Sequence, residues 1–174
     1  MARGTMFHIT NDPDNLGTMC ASEFYEDVGS LHVEFVDDDQ KEIADQNTEC
    51  LAKMLEACGF PIFPDDEPAN EDYKPAAFII RTGGDDSLTA AKMRFFQPLL
   101  ESLKKEVSEL DLKTFATAGC NTYSLIYKIN DDYSDAVYLE TGEYGGSVYT
   151  MHEFIRNMDP DATYYVAANT VRMK

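Results

Sequence analysis

Asp12, Asp14, Gly17 and Glu23 stand at positions 1, 3, 6 and 12 of the spacing with which a twelve-residue loop wraps oxygen ligands around calcium. Position 5 should supply another side-chain oxygen, but it is Leu16, and the segment before Asp12 reads as a strand, not as an entering helix. The run Asp12-Pro13-Asp14-Asn15 is therefore expected to be an Asx/Pro turn and not a metal loop. Arg81-Thr82-Gly83-Gly84 lies between a strand-like and a helix-like segment, where phosphate loops occur. It lacks the P-loop and dinucleotide patterns, and Asp85 and Asp86 would repel a phosphate, so a tight turn with a helix cap near Asp86 or Ser87 is expected.

His8, His32 and His152 have no zinc or triad spacing around them. His8 and His32 fall in strand-like segments, where a pair beside a carboxylate could move protons, yet a strand histidine is more often structural. There is no G-x-S-x-G and no C-x-x-C. Cys50 and Cys58 are eight residues apart in one helical segment, about 12 Å by helical rise and too far for a disulfide. The four cysteines are expected to be reduced thiols, mostly in the core, of a cytoplasmic protein. No catalytic constellation emerges, and no cofactor or metal is implied.

Binding chemistry is better represented. Asp37-Asp38-Asp39 precedes a helical pattern; one or two of these carboxylates suit a helix start, but three in a row also repel each other. Residues 60–75 (FPIFPDDEPANEDYKP) hold four of the seven prolines, five carboxylates and three aromatic rings, more than a routine connector needs. Phe63, Asp65, Asp66, Glu67, Glu71, Asp72 and Tyr73 make this loop, with the Asp37–Asp39 cluster, the expected partner-binding surface. Eight of the ten tyrosines lie between Tyr123 and Tyr165, where sheet packing accounts for them first and an interface second.

The charge is unevenly placed. Of a formal net −18, residues 1–75 carry 18 acidic and 4 basic side chains, net −14, residues 76–130 carry net +1, and residues 131–174 carry net −5. Uniform adaptation to salt would not leave the middle neutral. Such a front half repels nucleic acid and anionic lipid and attracts cationic surfaces. The sequence thus predicts a non-enzymatic acidic binding protein that occupies a basic surface of a partner protein. Its most specific form is an inhibitor or nucleic-acid mimic acting on a nucleic-acid-binding protein. The alternative is a small cytoplasmic enzyme or ligand-binding domain with an acidic, divalent-metal-dependent site.

The elements that must position these residues follow from periodicity. Strands are expected at Met6–Thr10, at Leu31–Phe35 from its alternation, at Ala76–Arg81, Thr114–Thr117, Thr122–Ile129 and Ala136–Leu139, and at Ala162–Ala168. Helices are expected over Thr18–Val28, over Asp38–Cys58 with Gly59 as its stop, after Thr82-Gly83-Gly84 with Pro98 kinking it or dividing it in two at Gln97, and after the capping box Thr150-Met151-His152-Glu153. Strands and helices mix without strict alternation, which predicts an α+β fold. Its sheet is expected to be mixed and mainly antiparallel, with three to four helices in a single compact domain over residues 1–174. No apolar run is long enough to span a bilayer, and the first ten residues lack the apolar core of a signal peptide.

Overall fold

A computed structural model describes residues 2–16, 33–35, 41–66, 75–109, 112–113, 136–140 and 146–173. In chain order these form β1 (Ala2–Thr10), a 3-10 turn (Pro13–Asn15), β2 (Val33–Phe35), α1 (Lys41–Ala57), β3 (Ile62–Phe63), β4 (Phe78–Arg81), α2 (Gly84–Ser108), β5 (Ala136–Glu140), β6 (Gly146–Thr150), α3 (Met151–Asn157) and β7 (Thr163–Met173). The strands make one sheet in the order β3-β4-β7-β1-β5-β6. β2 pairs with the far end of β7, Val33 opposite Met173. β1 and β5 are parallel, while the pairs β1–β7, β2–β7, β4–β7, β3–β4 and β5–β6 are antiparallel. The fold is thus α+β with a mixed, mainly antiparallel sheet.

Alternation along the strands divides the side chains between two faces. Phe7, Ile9, Phe78, Ile80, Tyr164 and Val166 meet Leu51 and Leu55 of α1, Leu88 and Ala91 of α2, and Phe154 and Ile155 of α3 in one core. All three helices therefore cover the same face. Each fully buried Leu, Ile or Phe contributes about 1.5–3 kcal/mol, and this layer fixes the register of the strands beneath it. On the other face Leu16, Ala76 and Ile79 pack with Tyr165 and Ala167. Met6, His8 and Thr10 are buried as well, so β1 is enclosed on both sides.

α1 forms where expected. Its buried stripe is Ala44, Thr48, Leu51 and Leu55, with the Thr48 hydroxyl donating to the Ala44 carbonyl at 2.7 Å. Ile43, Ala44, Leu51, Met54, Leu55 and Cys58 share a helical face in the sequence with Asn47 among them, but Asn47 and Met54 are exposed. The true face is rotated toward Thr48, whose hydroxyl is satisfied within the helix and so enters the core at little cost. Gly59 stops the helix at φ 90°, a conformation glycine adopts without a Cβ penalty. A Cβ there would also collide with the Arg94 guanidinium.

α2 departs from expectation twice. It begins at Gly84 instead of near Asp86, and its first N–H donates to the Asp161 carboxylate at 2.9 Å. The cap comes from a residue 77 positions away, which local spacing could not reveal. It also runs as one helix from Gly84 to Ser108 through Pro98, so of the kink or division expected at Gln97 the division does not occur. Pro98 is exposed, so water can satisfy the carbonyl left without its helical donor.

α3 carries the expected reciprocal cap. The Thr150 hydroxyl accepts from the Glu153 N–H at 3.1 Å, and the Glu153 carboxylate accepts from the Thr150 N–H at 2.9 Å. At the other end Lys92 of α2 donates to the carbonyls of Arg156 and Met158 at 2.8 and 2.9 Å. Burial holds the Lys92 ammonium below its usual range, partly offset by Asp159.

β4 and β5 match the expected strands, while β1 begins at Ala2 instead of Met6 and β7 extends beyond Ala168 to Met173. β3 and β6 were not expected: β3 lies within the segment read as a loop and is made a strand by β4, and β6 opens on Gly146-Ser147 and is made a strand by pairing with β5. The helix expected over 18–28 and the strands expected over 114–117 and 122–129 lie outside the described residues.

One buried hydroxyl ties β4, α2 and β7 together. Thr82 Oγ1 lies 2.8 Å from the Asp159 carbonyl and 3.0 Å from the Ala162 carbonyl, and accepts from the Ala162 N–H at 2.6 Å. Thr82→Val keeps the shape and removes the hydroxyl. It should lower unfolding free energy by about 1–3 kcal/mol, the cost of leaving buried partners unsatisfied. Urea denaturation with an unchanged slope would measure this, and a loss below about 0.5 kcal/mol would show that the contact contributes nothing.

Candidate functional site

The acidic front half contributes an ordered row of charge on α1. About 120° round the helix from the centre of the buried stripe, Glu42, Asp45, Glu49 and Glu56 follow one another at intervals of three, four and seven residues, all exposed. At 3.6 residues per turn they fall within an arc of about 60°, along roughly 21 Å of helix. Lys53 stands in the same row and bonds Glu49. The pair holds the Glu49 carboxyl below its usual range and lifts the Lys53 ammonium. Both partners are in water, so the pair adds little stability. This row was not singled out in the sequence, although its signal was present as carboxylates recurring at helical spacing beside an apolar stripe.

α1 leads directly into the expected binding loop. After Gly59 the Phe60 N–H donates to the Leu55 carbonyl at 3.0 Å, and the Phe60 ring is buried in the core. The β3 residues Ile62 and Phe63 then pair with Ile80 and Ile79 of β4. Phe63 is 39% exposed, and the Arg81 guanidinium lies over its ring at 4.9 Å. The base of the loop is closed by Asp65, whose carboxylate accepts from the Ala76 N–H at 2.7 Å. Asp66 is exposed. Asp37, Asp38, Asp39, Glu67, Glu71, Asp72 and Tyr73 lie outside the described residues. Of the expected binding residues the structure therefore places Phe63, Asp65 and Asp66 together at one end of the sheet. Asp65 has a structural hydrogen bond, and Phe63 and Asp66 offer surface.

The residues weighed for catalysis take structural places. Asp12 caps the 3-10 turn by accepting from the Asp14 N–H at 3.1 Å, the expected Asx turn; Gly17 and Glu23 lie outside the described residues. Among the described residues no group of three or more His, Cys, Asp or Glu is placed to hold a metal ion. The N-terminus of α2 faces the Asp161 carboxylate instead of an open anion site. His8 is enclosed in β1 between Tyr138 and Ala167 in register, and His32 lies outside the described residues. His152 meets the rings of Phe95 and Phe96 edge-on, each at 5.6 Å, and Arg156 lies 4.8 Å from the Phe96 ring. This cluster packs α3 against α2.

The two described thiols are free, but neither is fully buried: Cys50 is exposed and Cys58 half-buried. Burial pushes the Cys58 thiol up, against a smaller pull from Arg94.

Comparison with protein families, curated proteins and solved structures finds no match to this chain. Among the described residues no helix is long and apolar enough to cross a membrane.

Two outcomes follow from this geometry. Asp65→Ala should cost about 1–3 kcal/mol by freeing the Ala76 N–H, while Asp66→Ala should stay within about 0.5 kcal/mol; equal losses in thermal melts would show that the Asp65 bond does not anchor the loop. With Cys20 and Cys120 replaced by Ser, iodoacetamide near pH 8 should alkylate Cys50 several-fold faster than Cys58, because the thiolate is the nucleophile. Mass-spectrometric peptide mapping reads the order, and its reversal would contradict the burial described for Cys58.

Proposed function

We propose that the protein is a non-enzymatic binding protein that lays an acidic surface on a basic surface of a partner protein. The observation that carries this reading is the concentration of charge, net −14 in residues 1–75, together with the single exposed row Glu42, Asp45, Glu49 and Glu56 on α1. Glu49 of this row is bonded to Lys53 in water, and a row of exposed carboxylates has a use where a cationic surface neutralises it. Its length of about 21 Å equals the axial length of about six nucleotides of one DNA strand. The partner is therefore a nucleic-acid-binding protein whose basic groove the acidic helix occupies in place of phosphates, as an inhibitor or nucleic-acid mimic. Phe63 pairs with Ile79 on the sheet face away from α1 and lies under Arg81, so it is a contact separate from the acidic row.

The test uses the whole chain immobilised and exposed to a lysate of its source cells at about 0.05 M salt. It is run beside a variant carrying Glu42→Gln, Asp45→Asn, Glu49→Gln and Glu56→Gln. A basic nucleic-acid-binding protein should be retained by the natural chain, released by about 0.5 M salt and largely lost from the variant. Surface plasmon resonance with that purified protein should show association slowing at least about tenfold between those salt concentrations, with dissociation changing less. Affinity that is flat with salt and equal for the two chains would overturn the electrostatic reading.

A further inference from the structure

We draw no further inference here: the strongest candidate, the exposed apolar patch of Met93, Leu100 and Val107 along the outer face of α2, carries nothing because nothing in the structure shows what covers it.

Discussion

A strand inside a sheet has two rows of hydrogen-bonding groups, and β7 uses both. β1 takes one side from Thr10 opposite Tyr165 to Ala2 opposite Met173. On the other side β4 takes the beginning and β2 the end. The rest of the architecture depends on this double pairing. It aligns β4 so that Thr82 reaches the carbonyls of Asp159 and Ala162, and the same turn presents Asp161 to the start of α2. α2 in turn holds the end of α3 through Lys92. A slip of one residue in β7 would exchange Tyr164 and Val166 for Tyr165 and Ala167 on the helical face and break each of these links.

What the sequence made legible was whatever is encoded within a few residues. α1, the capping box of α3, the Asx turn at Asp12 and the apolar strands β1, β4 and β7 rest on local periodicity or on a side chain bonding its near neighbours. What it hid depends on distant partners. The start of α2 is set by Asp161, and β6 is a strand because β5 lies beside it. Pro98 suggested a break that an exposed position does not require. The same division holds for the surface. The uneven charge could be read directly, but its arrangement as one row on α1 required the helical phase. That phase was obscured by Asn47 and resolved by Thr48. Phe60 and Phe63 looked equivalent in sequence; the end of α1 sends the first ring inward, and β3 leaves the second partly outside.

α1 and α2 lie on the same face of the sheet and use their outer sides differently. α1 is anchored at intervals from Ala44 to Leu55 and can carry repelling carboxylates, because its packing is already secured. α2 is anchored near its beginning, and its outer side carries exposed methionine, leucine and valine among charges of both signs. Two helices of one layer thus give the molecule an electrostatic surface and an apolar one, each compatible with the anchoring beneath it.

The place of β7 in the chain has a consequence for biogenesis. The strand that joins both halves of the sheet is made after all of its partners, and Ala2 must wait for Met173. Until then β1 and β4, rich in Phe and Ile, present open edges of the kind that recruit other chains into aggregates. Closing such distant contacts is slow. The growing chain is strongly anionic from its first seventy-five residues onward, and mutual repulsion keeps neighbouring nascent chains apart while the edges are open. The front half is thus strongly anionic while the sheet it belongs to is still incomplete.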